Sequence, residues 1–378
     1  MKSRIAPYIF FILVFQFLMQ FQLFAGELPS KGFWMFGSTL TSNNQEIVDK
    51  MANNHVNEVY LLVKGTGGMK INAEKLTDFI TKAHVKSIKV HLWYTVFQDN
   101  AYLEANPDAH VYHAPFPSDS KIRPYRMTNS WVNPFYPGYK EYVADNIKYF
   151  LTHFDCDGIH LDYIRYGHLV YSFDPYSLKK AASLGCDTTR LLGFFQTATD
   201  YEHYAKKTGL IDLYSNKDPD VVTWVDMRKE VIYGYISAVR DIIERLKPGI
   251  KLSAAFMPEG ATDENYANVH YAQNYALHST LLDMINPMSY FKSYGKSPSW
   301  LKTIAIGAIN RVDSKCKIAT GLQAFPDAKG VAVTPTEMDE QIASSIDGGA
   351  SGVMIFRYES IETDSTWNVI KNRFGKLK

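Results

Sequence analysis

Apolar residues in this chain fall into short unbroken runs, each followed by a stretch whose apolar positions recur every three or four residues. Residues 32–39 (Gly-Phe-Trp-Met-Phe-Gly-Ser-Thr) read as a first strand, and Asn43 or Asn44 can cap a helix carrying Ile47, Val48 and Met51 on one face. A second strand is expected over 58–64, closed by Gly65, Gly67 and Gly68, with a helix over 73–83 behind it. The third strand covers 88–97. A loop rich in Pro, Tyr and Asn then runs to about residue 137 before a helix built on Tyr139, Val143, Ile147, Phe150 and Leu151. The fourth strand is 157–163. A second insertion, 167–225, has helical patches near 191–195 and 201–207, and a strongly amphipathic helix over 228–246 follows it, stopped by Pro248-Gly249. Strands over 251–257, 284–291, 317–325 and 352–358 then alternate with helices around 271–282, 300–310, 334–346 and 367–374.

Eight strand-then-helix units with strands apolar on both sides predict a parallel sheet, and eight of them predict its closure into a single (β/α)8 barrel, with long loops after strands three and four. An open doubly wound sheet would want a Gly-rich phosphate turn after strand one, and Gly37-Ser-Thr-Leu-Thr-Ser42 is not one. No linker, repeat or low-complexity tract divides the chain. The length of the loop after strand three points to a binding role or to mobility.

The first residues read differently. Lys2 and Arg4 precede an apolar run from Ile9 to Leu18, and Leu23-Phe-Ala25 before Gly26 is an acceptable cleavage site. A signal peptide over 1–25 and a barrel over 26–378 are therefore expected, the alternative being an uncleaved anchor. With no later run apolar enough to span a bilayer, the chain is expected outside the cytoplasm: secreted, periplasmic or at the cell surface. The net charge of +1 argues against a nucleic-acid partner, which needs a basic face. Aromatic residues make up 14% of the chain, a surplus that suits stacking against sugars. The cysteines (Cys156, Cys186 and Cys316) are too few and too scattered for a disulfide framework or a zinc site, although one pair, such as Cys156 with Cys186, could bridge and leave one thiol.

In such a barrel, side chains at the C-terminal strand ends converge on one mouth. Strand three offers His91, Trp93 and Tyr94; strand four His160, Asp162, Tyr163 and Arg165. Glu259 follows strand five, Tyr290 strand six, Asp327 strand seven, and Arg357 strand eight. Lys64 ends strand two. A carboxylate at the end of a buried strand is costly unless it is paired or functional, and Asp162 is such a group. Carboxyl groups ringed by aromatics are what glycoside hydrolysis requires: one protonates the leaving oxygen and the other attacks the anomeric carbon or activates water.

The segment Phe154-Asp-Cys-Asp-Gly-Ile-His-Leu-Asp-Tyr-Ile-Arg-Tyr166 resembles the signature of the glycosyl hydrolase-like barrels related to the alpha-amylase superfamily. Val90-His-Leu-Trp93, Ile285-Asn-Pro-Met-Ser-Tyr290 and Gly352-Val-Met-Ile-Phe356 match in order on other strands. The resemblance implies an exported carbohydrate-active barrel. A more distant similarity to the alpha-amylases, where Asp-Gly-x-x-x-Asp carries the nucleophile, implies that role for Asp162, with Glu259 as acid/base and Asp327 as a possible stabiliser. Those enzymes have arginine where this chain has His160, so either His160 orients the carboxylate or the roles differ.

The expected pair is thus Asp162 and Glu259, with His91, Trp93, His160, Arg165, Tyr290, Asp327 and Arg357 as substrate contacts, a carbohydrate substrate, and neither metal nor cofactor. The alternative is a carbohydrate-binding barrel without catalysis. A third possibility is a metal-dependent hydrolase with His91, His160 and Asp162 as ligands.

Overall fold

In the computed structural model the described residues are 29–114, 123–124, 131–195 and 209–377. The expected signal peptide and the helical patch near 201–207 lie outside them. Eight parallel strands form the core: β1 (Ser30–Phe36), β2 (Glu58–Gly65), β3 (Lys89–Thr95), β4 (Gly158–Asp162), β5 (Lys251–Phe256), β6 (Met284–Pro287), β7 (Lys317–Gln323) and β8 (Gly352–Phe356). Each pairs with its neighbour in chain order, and β1 pairs with both β2 and β8, which closes the barrel. Around it stand α1 (Gln45–Asn53), α2 (Ala73–Val85), α3 (Tyr139–His153), α4 (Pro219–Leu246), α5 (Glu264–Tyr271), α6 (Trp300–Ile309), α7 (Pro335–Asp347) and α8 (Asp364–Lys376).

The two-residue period of the strands explains why they are apolar throughout. Phe33, Met35, Val59 and Leu61 face outward into the core shared with the helices, while Trp34, Tyr60, Trp93, Ala319 and Met354 form a separate cluster inside the barrel. A slip of one residue in any strand would exchange these two sets, so the register is strongly specified.

Three boundaries differ from the periodicity. Helix α4 starts at Pro219, inside the expected insertion, because the Asp218 carboxylate caps the amides of Asp220 and Val221 and proline suits the first turn. The helix expected around 271–282 is shorter: Tyr271 ends α5, Ala272 adopts a left-handed backbone (φ 53°), and Asn274 caps a short helix, Tyr275–Ser279. Strand β6 ends at Pro287, where the ladder loses an N–H donor. All three cysteines are free and buried, so the pairing of Cys156 with Cys186 is not made. Among the described residues no helix is long and apolar enough to cross a membrane.

Inside the barrel the middle layer is polar and fully engaged. The Trp34 indole Nε1 donates to His160 Nε2 at 3.0 Å, and His160 Nδ1 lies 2.9 Å from Ser253 Oγ. Indole nitrogen can only donate, so Nε2 accepts and Nδ1 carries the proton. Tyr60 stacks on this imidazole at 4.1 Å. Below it, His91 and Tyr60 line a small cavity of about 20 Å³ with Glu58, Lys251 and Asp283.

Candidate active site

Strand β4 ends at Asp162, and the turn that follows shapes the site. Tyr163 adopts a left-handed backbone (φ 50°), which costs about 1 kcal/mol for a residue with a side chain. That turn points the Tyr163 amide back at Asp162, whose Oδ1 accepts from it at 2.7 Å. From β3, the Trp93 indole Nε1 donates to Oδ2 at 3.1 Å. Burial pushes the Asp162 carboxyl above its ordinary value, against the opposing pull of the Tyr163 amide, the Arg165 charge and the Trp93 indole.

Glu259 stands in a short 3-10 turn, Pro258–Ala261, directly after β5. The Tyr271 hydroxyl donates to its Oε1 at 3.2 Å, and the Tyr294 hydroxyl lies 3.2 Å from each carboxyl oxygen. Burial raises this carboxyl too, opposed by backbone and tyrosine hydrogen bonds and by the charge of Arg165.

Arg165 is the common element. Its guanidinium packs against the rings of Trp131, Tyr163 and Tyr271 at 5.2–5.7 Å, and its charge lowers both carboxyls. Nη1 donates to the Tyr166 carbonyl at 3.2 Å, and the buried Nε has no hydrogen-bond partner among the described residues. Two ties hold the loops after β4 and β5 together. The Tyr166 amide donates to the Tyr271 carbonyl at 3.0 Å, and Gln273 donates to the carbonyls of Ile164 and Ala255 while accepting from the Met257 amide. Gln273 is buried, so its hydrogen bonds join the β4 loop carrying Arg165 to the β5 loop carrying Glu259.

Of the expected contacts, Trp93, Arg165 and Tyr290 gather around Asp162. Burial raises the Tyr290 hydroxyl well above its ordinary value, and the Asp162 charge adds to that shift. Arg357 stands farther round the rim: its guanidinium lies 4.4 Å over the Phe36 ring, Phe36 stacks on Trp93 at 5.9 Å, and the Phe356–Arg357 peptide bond is cis.

His91 and His160 belong elsewhere. His160 is wholly buried with both ring nitrogens engaged, one layer below Asp162, so it supports the site from inside rather than meeting a substrate. His91 is deeper still, 2% exposed, paired in register with Gly158 at the start of β4. Burial lowers its imidazole to about 4. The trio His91, His160 and Asp162 therefore does not form a ligand set, and among the described residues no group of three or more His, Cys, Asp or Glu is placed to hold a metal. Asp327 is a turn residue: its Oδ1 accepts from the amides of Lys329 and Val331 at 2.9 Å, and those bonds hold its carboxyl below the usual range. Lys64 is buried against Asp99 (2.9 Å) and the carbonyls of Thr95 and Gln98, an internal ion pair.

Tyr271, Tyr294, Gln273 and Trp131 were not singled out from the sequence. Tyr271 ends helix α5, and Tyr294 follows β6 by seven residues; both come from the segments after strands on the mouth side, and that position was the available signal for the two tyrosines.

Residues 66–180 match the model of a family described as Glycosyl hydrolase-like 10. The fold is similar to that of the PgaB (BpsB) glycoside hydrolase domain from Bordetella bronchiseptica, at 12% identity and TM-score 0.68, covering 92% of this chain and 99% of that one. It is also similar to alpha-L-fucosidase isoenzyme 2 from Paenibacillus thiaminolyticus, at 14% identity and TM-score 0.61, covering 93% of this chain and 49% of that one. Beta-galactosidase from the psychrophilic Marinomonas ef1 matches at 11% identity and TM-score 0.63, covering 91% of this chain and 58% of that one. The chain spans about half the length of the latter two proteins. No curated protein matches the sequence. The stretch from the loop after β2 to the loop after β4, Asp162 and Arg165 included, thus matches the glycosyl hydrolase-like 10 model, on a barrel similar in fold to the PgaB (BpsB) glycoside hydrolase domain.

Proposed function

We propose that this chain is an exported glycoside hydrolase that cleaves a polysaccharide or oligosaccharide with two carboxyl groups, Asp162 and Glu259. One observation carries the proposal: two carboxyls with raised proton affinity, Asp162 buried and Glu259 half-buried, follow adjacent strands at the mouth and share the charge of one arginine, Arg165. A carboxyl whose proton affinity burial raises is suited to donate to a leaving oxygen, and one held by fixed N–H donors is suited to carry negative charge. Glu259, whose contacts are hydroxyls that can donate or accept, fits the acid/base role. Asp162, held by two N–H groups that can only donate, fits the nucleophile or the base that activates water. Trp93, Tyr290 and Arg165 supply ring faces and a cation at the same mouth. Export rests on the sequence of residues 1–25.

The test is release of reducing sugar from a polysaccharide panel by the wild type and by Asp162→Asn. Activity confined to the wild type is expected; equal activity in both would remove Asp162 from the chemistry. A second reading, sugar binding without turnover, draws on the fact that all four carboxyl oxygens already have protein partners. Glycan binding by both proteins with hydrolysis by neither would favour it.

A further inference from the structure

Beside the mouth, between the ends of β1 and β2 and the start of α2, lies a groove of about 450 Å³, within the range of about 300–1,000 Å³ usual for small-ligand sites. Phe36 forms its inner wall, and the same ring stacks on Trp93, the donor to Asp162. Phe36 therefore joins the groove to the residue that holds Asp162. Its back wall is largely backbone. At Gly37 an added Cβ would sit 2.5 Å from the Leu62 carbonyl, and Gly68 turns the chain with φ 85°.

The charge of this groove is one-sided. Lys70 and Lys75 line it, together with Asn72 and Ser38, and no carboxylate does. Lys82 and Lys86, farther along α2, are paired with Asp78 and Asp49 at 2.7 and 2.8 Å. Lys70 and Lys75 make no ion pair among the described residues; Lys75 Nζ reaches only the Leu40 carbonyl at 3.3 Å. The neighbouring acid, Glu74, faces a different groove with Thr77 and Asp78. Two ammonium groups without ion-pair partners in a concave site that also holds a serine and an asparagine suit a ring that carries both hydroxyls and a negative charge.

We propose that this groove is a sugar subsite for an anionic residue of the substrate, one bearing a carboxylate or a sulfate. The inference rests on the proposed carbohydrate function and adds to it the class of glycan. A polymer crossing Asp162 would place such a residue between Lys70 and Lys75, one side of the cleavage point. Two partly solvated charge contacts give about a tenfold preference over a neutral glycan of equal length.

The experiment is calorimetric titration of the full chain, wild type and Asp162→Asn, with three oligosaccharides of equal length: an oligogalacturonide, a sulfated galactan fragment and a neutral galactan fragment. Tighter binding of at least one anionic probe by about tenfold is expected, and the arm that shows it identifies carboxylate or sulfate. In Lys70→Gln/Lys75→Gln the preference should vanish while the unfolding temperature stays that of the wild type, since neither side chain is buried. Equal binding of charged and neutral probes, absence of binding included, overturns the subsite, as does a preference that survives the double substitution. A lysine-dependent preference in a protein that hydrolyses nothing leaves the subsite standing and removes the hydrolase reading; hydrolysis of neutral glycans without any preference does the reverse.

Discussion

Trp93 holds the carboxylate of Asp162 from the adjacent strand, its indole Nε1 donating to Oδ2 at 3.1 Å, and the same ring stacks on Phe36. The indole thus fixes the direction of the carboxylate and favours its charged form. A hydrogen bond to a charged group contributes about 1.5–3 kcal/mol. In Trp93→Phe, kcat/KM on a cleaved glycan should fall at least about tenfold, and the acidic limb of its pH profile should move up, because Asp162 loses a donor that opposed burial. An unmoved limb would assign Trp93 to packing alone.

Glu259 takes up protons more readily in the folded chain than in the unfolded one. Its contribution to stability is therefore full below the unfolded carboxyl value of about 4 and is lost as pH rises through the raised folded value. Glu259→Gln removes that loss, and the hydroxyls of Tyr271 and Tyr294 can turn to meet the amide. Thermal scans should show the variant about 1–2 °C more stable than wild type at pH 7 and no more stable at pH 4. A variant less stable at pH 7 would mean that the charged form is the one the fold favours.

Much of this site was legible before any coordinates. Strand-end position alone brought out Asp162, Glu259, Trp93, Arg165 and Tyr290, because a parallel barrel sends every C-terminal strand end to one face. Depth was not legible. His91, Trp93 and His160 all point inward, and only the register between β3 and β4 shows that the two histidines lie below the mouth. The turn at Asp327 was legible in Phe325-Pro-Asp-Ala-Lys-Gly330, but the ion pair of Lys64 was hidden: its charge is met by Asp99 and by carbonyls that include a loop residue, and loop paths leave no periodic trace. The early start of α4 was readable in Asp218-Pro219, a cap and first-turn pair that the apolar period obscured.

Gly158 opens β4 because nothing larger fits. A Cβ there would stand 2.2 Å from His91 Nδ1 and 2.8 Å from the Lys251 carbonyl. The imidazole is 2% exposed, so Gly158→Ala should cost about 2–3 kcal/mol in urea unfolding. Gly158→Ala combined with His91→Ala should recover part of that loss; a single variant as stable as wild type would show that the floor of the barrel yields.

Lys64 and Asp99 are both wholly buried and 2.9 Å apart. Burial lowers the lysine to about 8 despite its partner. Removing one member strands the other charge, so Lys64→Met should lose about 3–5 kcal/mol of stability by denaturant titration. A loss under about 1 kcal/mol would mean that water reaches Asp99 once the lysine is gone.

The central claim is that the chemistry belongs to the two carboxyls flanking Arg165 and to no other mouth acid. Its most direct test is kcat/KM for Asp162→Asn, Glu259→Gln and Asp327→Asn, measured side by side on a glycan the wild type cleaves. The first two should fall by at least about a hundredfold, the usual share of a positioned acid or base, and Asp327→Asn should stay within about twofold, since its carboxyl serves only its own turn. Wild-type rates in either of the first two variants, or a comparable fall in the third, would contradict the assignment.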